Sequence, residues 1–135
     1  MDTVAILGID IAKNVFQLHG VNSKGRCVLR KRLSRDKLLS FMGSLPSCLV
    51  GLEACGSSHH WARQLKALGH EVKLMSPQYV KPYIKTNKND RNDAEGICEA
   101  VSRPSMHFVS IKSIEQQDIQ ALHRIRQRLM QARTA

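Results

Sequence analysis

Val4-Ala-Ile-Leu-Gly-Ile-Asp-Ile-Ala12 is the stretch whose reading decides the fold. From Val4 to Ile9 its aliphatic and β-branched residues run without a polar interruption, the pattern of a strand covered on both faces and therefore central in its sheet. Asp10 then stands between Ile9 and Ile11, where an ionised carboxylate costs several kcal/mol (roughly) unless a cation or a set of donors compensates it. Lys13 is the one neighbour in sequence able to pair with it. A second apolar run, Cys48-Leu-Val-Gly-Leu-Glu53, also closes on a carboxylate, and Lys88-Asn-Asp-Arg-Asn-Asp-Ala94 adds Asp90 and Asp93.

Outward from Asp10, Val15 to Val21 and Cys27 to Leu33 flank the turn-forming Asn22-Ser-Lys-Gly25 and predict a hairpin, with Gln17, His19, Arg30 and Arg32 turned outward and the second strand at the sheet edge. Ser34 is placed to cap a helix whose stripe Leu38, Phe41, Met42 and Leu45 has i, i+3, i+4, i+7 spacing before Pro46. Cys48 to Leu52 is a second buried strand. Ser57 or Ser58 opens a helix with Trp61, Leu65 and Leu68 on one face and Gly69 as its stop; Glu71 to Met75 follows as a strand ended by Pro77. Pro77 to Asn89 is basic and irregular in pattern. A helix from about Asp90 to Val101 carries Asp93, Ile97 and Ala100 along one face. From Ile114 the spacing of Leu122, Ile125, Leu129 and Ala132 suggests a coiled-coil seam, and it reaches Ala135 without a stop signal, which predicts that further sequence completes it.

That order predicts an α/β fold: a mixed five-stranded sheet made of an antiparallel meander and two crossovers, with flanking helices and a long C-terminal helix. If the Cys48 strand lies beside the Val4 strand, Asp10 and Glu53 emerge next to each other, with Asp90 and Asp93 presented over the same edge. The expected division is a domain over residues 1–110 and the start of a linker helix over 111–135.

Composition narrows the function. Lys and Arg number 21 against 11 acidic residues, a net charge of +10 that suits a phosphate-rich partner. The densest basic stretch, from Lys73 through Lys81, Lys85 and Lys88 to Arg91, lies beside two of the four carboxylates. Aromatic residues make up 4%, too few for single-strand binding by base stacking. Cys27, Cys48, Cys55 and Cys98 lack metal-site spacing and read as reduced thiols of a cytosolic protein, Cys27 and Cys48 as small hydrophobes in strands. Neither a signal peptide nor a membrane anchor is expected.

Four carboxylates in a basic chain suit phosphodiester chemistry assisted by two divalent ions, since magnesium, or manganese in its place, prefers oxygen ligands. Asp90 and Asp93, three apart, share a helix face; as structural residues they would instead cap the helix and favour its dipole. Lys88 and Arg91 bracket Asp90, either to hold a scissile phosphate or to balance local charge. His59 and His60 at a helix start are expected in a surface or capping role, the alternative being to donate to a phosphate or polarise a water near Glu53. Ser57 and Ser58 lack the G-x-S-x-G context of a nucleophile.

Leu-Gly-Ile-Asp10-Ile-Ala-Lys13, Leu52-Glu53-Ala-Cys-Gly56 and Lys88-Asn-Asp90-Arg-Asn-Asp93-Ala94, in that order, resemble the DEDD transposases of bacterial insertion sequences, the family of the pilin-gene inverting recombinase. The resemblance covers residues 4 to 135 and departs at Asn89 and Asn92, which leave the carboxylates in place. It implies an RNase H-like fold of the RuvC type, with Asp10, Glu53, Asp90 and Asp93 as a magnesium-binding tetrad that cuts and rejoins DNA. Lys13, Lys85, Lys88 and Arg91 are then the expected nucleic-acid contacts. It further implies a carboxy-terminal domain with a serine nucleophile and, in some members, a structured guide RNA. The stripe of the terminal helix predicts a partner helix in another subunit or in that further domain, and the expected location is the bacterial cytoplasm, at the nucleoid. Against it stand a free-standing Holliday-junction resolvase or RNase H-like nuclease and a non-catalytic basic nucleic-acid-binding module. The module leaves Asp10 and Glu53 without a physical reason. The actin-like ATPase or sugar kinase fold would follow its first-strand Asp with Gly-Thr, where this chain has Ile11-Ala12, and needs a far longer chain.

Overall fold

The computed structural model describes residues 3–12, 14–84 and 90–134, without the side chains of 90–92, 120–121 and 128–134. The chain order is β1 (Ile6–Ile11), β2 (Val15–Val21), β3 (Cys27–Ser34), a 3-10 turn at Arg35–Lys37, α1 (Leu38–Ser44), β4 (Leu49–Glu53), α2 (Ser58–Ala67), β5 (Glu71–Met75), α3 (Pro77–Val80), a second 3-10 turn at Lys81–Tyr83, α4 (Asp90–Val101), β6 (Phe108–Val109) and α5 (Ile114–Thr134). The sheet runs β3-β2-β1-β4-β5-β6. β1, β4 and β5 are parallel neighbours; β2 and β3 extend one side as an antiparallel meander, and β6 closes the other, antiparallel to β5.

β1 is central, as its uninterrupted apolar run requires, and β3 is the edge. The hairpin turn is built by Asn22, whose side-chain oxygen accepts from the backbone N–H groups of Lys24 and Arg26 at 3.0 Å each, and by Gly25 at a φ of 81° that side chains other than hydrogen disfavour. Two layers of helices cover the sheet. Leu7, Ile9, Val50, Leu52 and Leu74 alternate onto one face, where they pack with Leu38 and Met42 of α1 and Trp61 and Leu65 of α2. Phe16 meets Trp61 there edge to face, ring centroids 5.0 Å apart. Ile97, Ala100 and Val101 of α4 cover the opposite face with Met75, Val80, Ile6 and Leu49. Buried His70 joins α1 to β4: its Nε2–H donates to the Met42 carbonyl at 2.8 Å and its Nδ1 accepts from the Cys48 N–H at 3.2 Å. No helix among the described residues is long and apolar enough to cross a membrane.

Several expectations need correction. The sheet has six strands, not five, because Phe108 and Val109 pair with Met75 and Leu74; a two-residue strand is too short to show a period in sequence. His19 is 6% exposed rather than outward, since α4 covers the face of β2 that carries it. Cys27 is exposed at the start of the edge strand. Cys48 and Cys98 are the buried thiols, and burial pushes them up to about 11 and about 12, so they stay neutral. Ser34 makes no side-chain cap; its hydroxyl bonds Asp36, which holds that carboxyl below its ordinary range. The stretch after Pro77 begins as helical turns through Tyr83, with Pro77 and Pro82 at positions where a missing N–H costs nothing. Its remainder from 85 to 89 lies outside the described residues.

Candidate active site

The register between β1 and β4 decides the site. Ile9 pairs with Leu52 in the parallel ladder, so the next residues, Asp10 and Glu53, come side by side near the carboxyl ends of their strands, Asp10 still paired with Gln17 and Glu53 with Met75. Two residues earlier Gly8 and Gly51 are register partners, and residues two apart on a strand share a face. A Cβ on Gly8 would lie 2.4 Å from the Ala94 carbonyl oxygen and 2.4 Å from the Cys98 nitrogen; one on Gly51 would lie 2.7 Å from the Val101 Cβ. The faces that carry Asp10 and Glu53 are therefore the faces turned to α4. With no side chains at 8 and 51 the helix settles directly on the sheet, and Asp93, next to Ala94, comes down beside the strand ends.

Charge follows geometry. Burial pushes the Glu53 carboxyl above its ordinary range, and the negative charge of Asp93 pushes it further in the same direction. Asp10, Glu53 and Asp93 are all half-buried, and Asp10 and Asp93 each have an interaction partner within the fold. Among the described residues no three His, Cys, Asp or Glu side chains close into a metal-ligand set. Asp90 opens α4, but its side chain and that of Arg91 lie outside the described residues, as do Lys13, Lys85 and Lys88 altogether.

A cleft of about 640 Å³ opens beyond β4, lined by Ala54, Cys55, Gly56, His59 and Lys112 among others. His59 is neither a surface residue nor a cap: it is buried, and its Nδ1 accepts from the Lys112 N–H at 3.0 Å. Burial and the charges of Lys112 and Arg63 lower its pKa, which favours the neutral ring that this acceptor role needs. Arg63 donates to the Lys112 carbonyl and, at 2.9 Å, to Gln117 Oε1; Gln117 Nε2 reaches the Gly56 carbonyl at 3.4 Å. The first turn of α5 is thus clasped to α2 beside the loop that follows Glu53. Arg63 and Lys112 are 49 residues apart, and no spacing or motif connects them in sequence. His60 is exposed and stacks edge-on against Trp61. The Ser58 hydroxyl is used locally, accepting from the Cys55 N–H and donating to its carbonyl at 2.8 Å each.

The sequence profile of the IS110 group of DEDD transposases, described as Transposase, matches residues 7–135. The chain belongs to the DEDD transposase family. Two curated relatives agree with that membership. The transposase for insertion sequence element IS1111A of Coxiella burnetii is 51% identical over 135 residues, covering 100% of this chain and 37% of the relative. The transposase for insertion sequence element IS1328 of Yersinia enterocolitica is 50% identical over 133 residues, 98% of this chain and 40% of the relative. The chain thus spans about two-fifths of the length of these two transposases.

Proposed function

We propose that this chain is the amino-terminal catalytic portion of an insertion-sequence transposase, cutting and rejoining DNA with divalent metal held by Asp10, Glu53, Asp90 and Asp93. The observation that carries the reading is the adjacency of Asp10 and Glu53 at the ends of parallel β1 and β4, with Asp93 close enough to raise the Glu53 pKa. Carboxylates that discourage one another's ionisation are accounted for by a cation. The donors are oxygen alone, which suits a hard ion such as magnesium, with manganese as a substitute.

Asp10, Glu53, Asp90 and Asp93 would hold two such ions, which would supply activation of an attacking oxygen and neutralisation of a leaving one at a phosphodiester. The protein's own part is positional. β1 and β4 hold two carboxylates on rigid strand ends, and α4 contributes the other two from one helix face. Lys13, Lys85, Lys88 and Arg91 are the proposed phosphate contacts around them. The meander β1 to β3 followed by parallel β4 and β5 is compatible with an RNase H-like sheet of the RuvC type, β6 being an addition at its edge. Residues 1–110 form the proposed catalytic domain. Residues 111–135 begin a helix that leads to a carboxy-terminal domain and joins subunits, with Ile119, Leu122 and Ile125 exposed along it. DNA is the proposed substrate, a structured guide RNA a second polyanionic partner, and the bacterial cytoplasm at the nucleoid the place of action.

Titration calorimetry with manganese tests the reading. Saturable binding by the parent chain, abolished in both Asp10→Asn and Glu53→Gln, is expected; parent and variants that bind alike would remove the metal centre.

A further inference from the structure

Arg30 and Arg32 stand at alternate positions of β3, the terminal strand of the sheet. The register puts Arg32 in the row of Asp10 and Arg30 one same-face position away, in the row of Gly8. Arg32 pairs with Gln17, which pairs with Asp10, and Arg30 pairs with His19, which pairs with Gly8. Residues directly opposite one another share a face, and Gly8 faces α4, so both arginines lie on the face that presents Asp10 and Glu53. Arg30 accordingly lines the cavity of about 520 Å³ between the hairpin and α4. That cavity also holds Glu95 and Glu99: Glu99 is ion-paired with Arg103, and Glu95 has an interaction of its own. Lys31, between the arginines, faces the other way, its Nζ 4.6 Å from the centroid of the Phe41 ring of α1. Arg30 and Arg32 are exposed.

We propose that Arg30 and Arg32 form a phosphate-holding track for the DNA strand that enters the carboxylate site, an assignment that rests on the function proposed above. Arg32 lies two interstrand steps from Asp10, about 10 Å, with the neutral Gln17 between them. A phosphodiester chain approaching Asp10 and Glu53 meets repulsion from both carboxylates. Cations on the same face, Arg32 in the Asp10 row and Arg30 in the neighbouring Gly8 row, offset that repulsion and hold the backbone in line with the site. Guanidinium groups suit this role because they bind phosphate in a fixed, two-pronged geometry. The competing account is that charge on an edge strand merely blocks edge-to-edge pairing of sheets. In that case Lys31 serves as well as its neighbours, and DNA affinity does not depend on which face a charge occupies.

Anisotropy titrations of a mixed-sequence DNA duplex with the 135-residue chain, in chelator at several salt concentrations, separate the two accounts. The double variant Arg30→Gln/Arg32→Gln is expected to bind about tenfold more weakly at low salt, with the slope of log affinity against log salt reduced by about 1.8, two phosphate contacts at about 0.9 each. Lys31→Gln is expected to keep the parent slope, and Arg30→Lys/Arg32→Lys to recover most of it; unchanged melting temperatures show that the variants fold. The track is overturned if the double glutamine variant and Lys31→Gln behave alike, or if the double variant binds like the parent while sedimenting as larger species. A parent that binds no DNA overturns this assignment together with the proposed function, whereas a parent that binds and a double variant that binds equally overturn this assignment alone.

Discussion

Gly8 of β1 lies against the backbone of α4 at Ala94, so close that a Cβ at position 8 would come within 2.4 Å of the Ala94 carbonyl oxygen. This contact brings a helix bearing two carboxylates down onto two strands that carry Asp10 and Glu53 near their carboxyl ends. Backbone atoms cannot swing aside as side chains can, so Gly8→Ala has to lift or shift α4. Overpacking of this kind costs about 2–3 kcal/mol, and the melting temperature is expected to fall by roughly 6–12 °C, with metal affinity falling too. Gly56→Ala is the control: nothing lies within 4 Å of a Cβ there. Equal melting temperatures for Gly8→Ala and the parent would mean that α4 does not depend on this close approach.

On the proposed function, Asp10 belongs to a set of carboxylates that oppose one another when no cation is bound, so function and stability would pull in opposite directions there. In chelator, Asp10→Asn is expected to melt at the parent temperature or higher. Manganese at a hundred times its dissociation constant is expected to stabilise the parent by about 2.7 kcal/mol through mass action and the variant much less. If Asp10 were a structural anion satisfied by donors, the same change would cost about 1–3 kcal/mol with or without metal. Thermal melts of both proteins in both buffers distinguish these outcomes, and a metal-independent loss of stability counts against the metal centre.

Glu53 makes its own pH-dependent prediction. Burial first, and the Asp93 charge second, raise its pKa in the folded state above the ordinary 4.5, so the folded chain holds that proton more tightly than the unfolded chain does. The resulting stability is full below about 4.5 and is lost as pH rises through the raised folded value. Glu53→Gln removes the penalty on ionisation, and in metal-free urea titrations it is expected to exceed the parent in stability at pH 7 and to lose that advantage near pH 4. A variant less stable by the same margin at both pH values would point to lost packing rather than to relieved charge.

Beyond its clasped first turn, α5 exposes Ile119, Leu122 and Ile125, with Leu122 at 67%, a stripe of the kind that pairs with another helix. Sedimentation of the 135-residue chain beside a version ending at Ser113 is expected to show a larger mass for the longer chain that falls on dilution. Monomers in both cases would leave the stripe for a segment of the same polypeptide.

The sequence by itself determined the local elements and their order. The unbroken aliphatic run of β1, the turn chemistry of Asn22 and Gly25, the apolar stripes of α1 and α2, and α4 from Asp90 to Val101 are written in residues close together along the chain, where spacing and side-chain shape decide the outcome. It also named Asp10 and Glu53 as candidates, because charges at the ends of apolar runs are costly wherever the fold puts them, and Asp90 and Asp93 through their spacing of three, while the order of three short motifs marked the family. Tertiary structure alone decided which partners those residues meet. That Gly8 and Gly51 stand opposite one another beneath α4, that His19 is covered, that Phe108 and Val109 complete a sixth strand, and that Arg63 and His59 clasp Lys112 all depend on contacts between residues distant in the chain. Such contacts are set by register and by how closely a helix can approach a sheet, and neither leaves a periodic trace in a single sequence.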